Sequence, residues 1–164
     1  MWRFYIKIHA TQLEVKLNGD RGGRKMIIGV IDGQGGGIGR AIVERIKSTD
    51  ELKHLTVYGL GTNSAATGQM LRGGADEAAT GENAIVHNAG HVDIIIGPVG
   101  IINANAMMGE LTPKMAEAIG SSHALKILLP LNKCHIQVVS VMELTISQHV
   151  DNAVKVLIEV VINR

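Results

Sequence analysis

The sequence predicts an α/β domain: a doubly wound, mostly parallel sheet of five or six strands with helices on both faces. Two observations carry this expectation. After Met26, short continuous apolar runs alternate with segments of helical periodicity, and the first run leads straight into a glycine-rich turn that opens a helix. Parallel strands buried on both faces read as unbroken apolar stretches, and their crossovers are right-handed helical connections.

A chain of 164 residues is long enough for one domain with a core that needs no staples. Phe, Trp and Tyr together make up only 2% of it, so that core is built from Ile, Val, Leu, Ala and Met. The 20 glycines cluster in short runs without a repeat, which excludes a collagen-like chain or a linker. A net charge of +1 with both signs dispersed gives no electrostatic footprint for nucleic acid, and the scarcity of aromatics removes a base-stacking platform. The lone Cys134 forms no internal disulfide and fits a reducing cytoplasm. No apolar run approaches the ~18 residues of a membrane span, so a cytoplasmic protein without a membrane partner is expected.

Residues 1–25 differ in character from the rest and form an N-terminal extension to a domain over 26–164. Ile6, Ile8 and Ala10, then Leu13, Val15 and Leu17, alternate with polar residues as in a half-buried hairpin. A second reading has equal weight. Arg21-Gly22-Gly23 can be encoded by codons resembling a bacterial ribosome-binding site, which would make Met26 the native start and the leader a mis-called one.

From Met26 the elements follow in order. Met26–Ile31 is the first strand and Ile38–Lys47 the first helix, with Ile38, Ala41, Ile42 and Ile46 on one face. Leu55–Gly59 is a strand, Asn63–Leu71 a helix stopped by Gly73-Gly74, and residues 75–79 a weak strand. Thr80 is expected to cap a helix through Asn88 that ends at Gly90. Val92–Ile96 is a strand stopped by Gly97-Pro98, and Ile101–Met108 has helical spacing. Thr112-Pro113 is a cap-plus-first-turn signal for a helix to Gly120. Strands are expected at Leu125–Leu129 and Ile136–Val141, and Gln148–Ile162 closes the chain as a helix. Val150, Ala153, Val154, Leu157, Ile158 and Val161 give that helix an apolar stripe, and Val156 and Val160 widen it, which points to a subunit contact in a homo-oligomer.

The turn Asp32-Gly33-Gln34-Gly35-Gly36-Gly37-Ile38-Gly39 places five glycines within seven residues. A phosphate held here approaches backbone N–H groups that side chains would otherwise block, and the helix N-terminus adds free donors and partial positive charge. A sharp strand-to-helix turn is the alternative reason for the glycines. With strand on one side and helix on the other, the domain reads as Rossmann-like and its ligand as a small phosphate-bearing molecule, with NAD or NADP the candidate cofactors.

Gly33-x-x-x-Gly37-Ile38-Gly39 resembles the cofactor loop of short-chain dehydrogenases/reductases, and His87-Asn88-Ala89-Gly90 is similar to that family's Asn-Asn-Ala-Gly element. The departures are specific. Asp32 stands where that family has Thr, the Asn-Ala-Gly element precedes the fourth strand, and neither Tyr5 nor Tyr58 has a Lys four residues on. No acid stands near the end of the second strand to read a ribose, where Tyr58–Ser64 offers only hydroxyls and an amide. Across residues 26–141 the chain resembles an uncharacterised family of small bacterial Rossmann-like proteins. The stretches that carry this are Ile31–Gly39, Gly61-Thr62-Asn63, Ala79–Ala84, Gly97–Ile101 and Gly109–Ala116. That resemblance implies the fold and no activity.

Other candidates have two readings each. Thr62, Asn63 and Ser64 either hold a ribose or 2′-phosphate or cap a helix, and Gly97, Pro98, Val99 and Gly100 either let a ligand lie on backbone or form a plain turn. Glu82-Asn83 and Glu110 are an acid–base pair only if they converge on one cleft; otherwise they cap helices or face solvent. His87 and His91 have metal-ligand spacing, but Gly90 lies between them and no third ligand is near, so no metal site is assigned. No catalytic set can be read from the sequence. The functional expectation is a nucleotide- or dinucleotide-binding protein, with an NAD(P)-linked enzyme, a non-catalytic nucleotide sensor and a structural homo-oligomer as its forms.

Overall fold

The computed structural model describes residues 25–131 and 136–163. The expected N-terminal hairpin and Cys134-His135 lie outside these described residues. Five parallel strands form one sheet in the order β3-β2-β1-β4-β5: β1 (Ile27–Asp32), β2 (Thr56–Gly61), β3 (Glu77–Thr80), β4 (Ile94–Pro98) and β5 (Leu125–Leu129). Five helices flank it: α1 (Gly37–Ser48), α2 (Ser64–Arg72), α3 (Glu82–Ala89), α4 (Pro113–Ser121) and α5 (Ile146–Ile162). This is the doubly wound Rossmann-like arrangement the alternating periods predict.

The strands are apolar throughout because both faces are covered. Ile28, Val30, Ile94 and Ile96 join a core with Ile42 and Ile46 of α1, Met70 of α2, and Val150, Val154 and Leu157 of α5. Ile31, Leu60 and Ile95 point the other way, into a core with Ile85 of α3 and Met115 and Ile119 of α4. Successive strand residues thus supply opposite layers, as the pleat requires. The chain winds outward from β1 to β3, then returns to the other side of β1 as β4. The loops after β1 and β4 consequently diverge, which opens a crevice at the carboxyl ends of these two strands.

Three expectations change. Ile101–Met108 is no regular helix: a short 3-10 turn covers Val99–Ile102, and Asn105, Met107, Met108 and Gly109 then all take positive φ. The apolar spacing of that stretch reflects the burial of Ile101, Ala106, Met107 and Leu111 from an irregular loop. Ile136–Val141 is not a strand, so the sheet has five strands; Ser140 takes a φ of 62° and Val139 is exposed. Thr80 does not cap α3. Its hydroxyl is 2.6 Å from that of Thr67, and the cap position belongs to Gly81 at φ 94°.

The remaining helix signals hold. Asn63 caps α2 through Ala66 N–H and Thr112 caps α4 through Met115 N–H with Pro113 behind it. The α5 helix begins at Ile146, two residues earlier than expected, because Thr145 and Gln148 form a capping box. Its stripe packs as expected, and Val160 also leans on the core, which leaves Val156 and Ile162 exposed.

At Gly97 β4 packs tightly against β1, since a Cβ there would collide with the carbonyl oxygen of Ile31. Gly97→Ala is expected to cost about 1–3 kcal/mol through forced backbone movement, read as a lowered denaturant midpoint with an unchanged m-value.

Candidate functional site

The corner between β1 and α1 is fixed by the carboxylate of Asp32, which is only 3% exposed. Its Oδ1 accepts the N–H of Gly33 at 2.8 Å and its Oδ2 accepts the N–H of Gly39 at 2.7 Å. Gly39 is the third residue of α1, and its N–H is one that an N-cap side chain ordinarily satisfies. Gly36, the actual N-cap, has no side chain to do so. Asp32 therefore caps the helix from the strand. The carboxylate that departs from the short-chain dehydrogenase pattern has an internal partner on each oxygen.

The five loop glycines divide into two groups. A Cβ on Gly33 would lie 2.6 Å from both Met107 Sδ and Thr62 Oγ1. Gly36 has a φ of 69°, and a Cβ there would lie 2.5 Å from Ala66 Cα. A Cβ on Gly39 would lie 2.8 Å from Asp32 Cβ and Met70 Sδ. These three are glycine because protein packs against them. At Gly35 and Gly37 a Cβ would meet nothing within 4 Å.

These open positions border a cavity of about 380 Å³, inside the range of small-molecule sites. Asp32 through Ile38 form one side of it, with Pro98 and Gly100 across the crevice and Met107, Leu131 and Ile146 closing it. Asp32 is the one ionisable side chain in this described lining. Gly37 and Ile38 open α1, so their N–H groups have no acceptor within the helix. Thr62, Asn63, Ser64, Gly97 and Val99 stand outside the lining.

Thr62 and Asn63, just past β2, meet a residue to which sequence alone gives no place. The loop after β4 carries Glu110 back over β1 to the end of β2. Its Oε2 accepts Gln34 N–H at 2.8 Å, Thr62 Oγ1–H at 2.7 Å and an Asn63 Nδ2–H at 2.7 Å. The Gln34 and Thr62 bonds, joined by that from Asn63, outweigh partial burial and hold the carboxyl below the usual glutamate range. Asn63 also donates to Gln34 O while its Oδ1 caps α2, and Ser64 is exposed. Asn63 is thus a helix cap that also donates to a charged group.

Glu82 does not join Glu110. Its Oε2 accepts the Thr112 hydroxyl at 2.6 Å and its Oε1 lies 3.6 Å from Lys114 Nζ, tying the start of α3 to the start of α4. The Thr112 bond, with help from Lys114, lowers its pKa. The two carboxylates share no partner and form no acid–base pair. The rings of His87 and His91 stack at 4.5 Å, and no cluster of three or more metal-ligating side chains occurs among the described residues.

A larger cavity of about 650 Å³ lies away from this corner, between β5 and α5. It is lined mostly by apolar residues such as Leu129, Met142 and Val156, with His149 and Asn152 among them. No described helix is long and apolar enough to cross a membrane.

A parallel sheet with a glycine-lined cavity at its point of reversal defines a Rossmann-like α/β protein. The chain belongs to the family described as a domain of unknown function (DUF3842), which matches residues 27–162. No curated protein and no solved structure matches it significantly.

Glu110 also makes a testable contribution to stability. Its folded-state pKa lies below the ordinary value of 4.5, so the folded state binds its proton less readily than the unfolded chain. The stabilisation is complete above that ordinary value and is lost as pH falls through the lower folded-state value. Thermal melts from neutral pH to about pH 3 are expected to show less acid-induced loss for Glu110→Gln than for the native protein.

Proposed function

We propose that this protein binds a nucleotide-type, phosphate-bearing ligand at the β1–α1 corner. The observation that supports it most is the division of the loop glycines: packing accounts for Gly33, Gly36 and Gly39, whereas Gly35 and Gly37 border empty space. A phosphate there lies against Gly35, Gly37 and Ile38, with the first-turn N–H groups of α1 as donors. The Asp32 carboxylate is turned into the loop amides, so its charge is already partly compensated when the anion arrives. A dinucleotide such as NAD or NADP would place one half in the cavity and extend the other across Thr62, Asn63 and Ser64.

The lining favours binding over catalysis by side chains. Its single ionisable group has both oxygens engaged, and its other members are glycines, Gln34 and apolar residues. Any reaction at this site belongs to a cofactor that the protein positions; a nucleotide sensor requires nothing further.

Thermal shift against AMP, ATP, FAD, NAD and NADP, with native mass spectrometry of freshly purified protein, tests the reading. A bound ligand at 100 times its dissociation constant stabilises by about 2.7 kcal/mol. No shift with any of these and no co-purified mass would remove it. Gly37→Val is expected to abolish the shift and leave the melting temperature of the free protein nearly unchanged, because Gly37 lines the cavity and a Cβ there would meet no protein atom within 4 Å.

A second reading concerns assembly. The apolar groove between β5 and α5, with exposed Val139, Met142 and Val156 on or beside it, supports self-association through this face. Sedimentation velocity is expected to give at least twice the chain mass, and Met142→Asp with Val156→Asp to return it to the monomer value. A native monomer at micromolar concentration contradicts this reading.

A further inference from the structure

We infer that Glu110 makes the site select a nucleotide with free ribose hydroxyls over one phosphorylated at the 2′ position. This rests on the phosphate site proposed above. With a phosphate on the first turn of α1, an attached ribose lies at the carboxyl end of β2, beside the second residue of the glycine loop. That residue is Gln34, and the end of β2 is Thr62-Asn63. The carboxylate held at this point comes from neither β2 nor the loop following it. It is Glu110, delivered from the far side of β1 by the loop after β4.

Three features suit it to a sugar diol. Its position is set, because one oxygen accepts three hydrogen bonds from Gln34, Thr62 and Asn63. Its second oxygen, Oε1, accepts none among the described residues, so it is available to a hydroxyl donor. Among the described residues its charge is uncompensated by a cation: all three donors are neutral and Glu110 takes part in no ion pair. On the neighbouring α1 face, the guanidinium of Arg40 is engaged by Glu44 at 2.7 Å and by Gln69 at 3.2 Å. A 2′-phosphate would bring two negative charges to a fixed carboxylate. The vicinal hydroxyls would instead donate to it.

The path of the loop supports this assignment. Asn105, Met107 and Met108 all take positive φ, a conformation that non-glycine residues adopt rarely and at a cost. Met107 closes over Gly33 while Glu110 reaches Gln34, so these turns deliver both contacts at once. A loop whose only task was to cover Ile101 and Leu111 would not need to send a carboxylate to the far strand.

The test is titration calorimetry of the full chain with two ligand pairs that differ only by the 2′-phosphate. These are AMP with adenosine 2′,5′-bisphosphate, and NAD with NADP. The unphosphorylated member of a pair is expected to bind at least about tenfold tighter to the native protein. Glu110→Gln is expected to reduce that ratio to below about threefold, chiefly by tightening the phosphorylated member. Equal affinity within each pair for the native protein overturns the assignment, whether or not the variant folds. So does a variant that binds every nucleotide more tightly with the ratio unchanged, which would make Glu110 an internal plug. If none of the four binds and no other nucleotide shifts the melting temperature, the phosphate site itself fails. The two failures are thereby separate.

Discussion

The geometry of the corner between β1 and α1 hangs on how one buried carboxylate is satisfied. Asp32 ends β1 and is almost inaccessible, and an unpaired charge there would cost several kcal/mol. Two backbone N–H groups answer it, and hydrogen bonds to a charged group contribute about 1.5–3 kcal/mol each. The bonds also define a shape. Gly33 is the next residue and Gly39 lies in the first turn of α1, so the chain between them must curl back on the end of β1. A helix capped by Gly36, which has no side chain to do the capping, starts where Asp32 can reach its third residue. Strand, turn and helix are locked by a single side chain, and Gly37 and Ile38 of the first turn line the cavity.

This explains why the glycine-rich loop contains more glycine than a ligand site needs. Asp32 draws α1 close to β1, and α2 packs on α1 near enough that Ala66 excludes any Cβ at Gly36. Met70 does the same at Gly39, and the loop after β4 does so at Gly33. Compactness consumes three of the five. Gly35 and Gly37 lie outside these constraints: a Cβ at either would meet no atom within 4 Å. Counting glycines therefore says little, while asking what each one touches separates the packed positions from the open ones.

The elements whose apolar pattern is set by one neighbouring surface were legible in the sequence. Both-face burial makes the β1 and β4 runs continuous, and one-face burial gives α1 and α5 their stripes. The Thr112-Pro113 start of α4 was readable because capping is local chemistry. Ile136–Val141 shows where the pattern misleads: β-branched residues favour an extended strand, yet Ser140 turns the chain and the edge of β5 gains no partner among the described residues. Ile101–Met108 misleads for the opposite reason. Its helical spacing survives, but Met107 and Glu110 draw the loop across β1 and force positive φ on residues that do not signal it. Of the site, the glycine loop and the crevice residues Pro98 and Gly100 were readable. Leu131 and Ile146 were not, because their place in the cavity depends on how α5 returns to α1.

The same limit explains why the acid at the end of β2 is invisible to a reading of β2. A ribose-binding carboxylate is sought a fixed distance past the glycine loop because the local βαβ unit ordinarily supplies it. Nothing in the physics requires that origin. What a sugar hydroxyl meets is an oxygen held at a point, and any segment that can reach the point satisfies the requirement. In this fold β4 lies beside β1 on the side away from β2, so a loop leaving β4 must cross one strand to arrive. Gly33 permits the crossing by leaving room for Met107, and Gln34, Thr62 and Asn63 fix the carboxylate on arrival. The glycine loop thus has two sides. It presents open backbone on the cavity side and donates the Gln34 N–H to Glu110 on the other, with the sharp turn at Gly33–Gly36 separating the two.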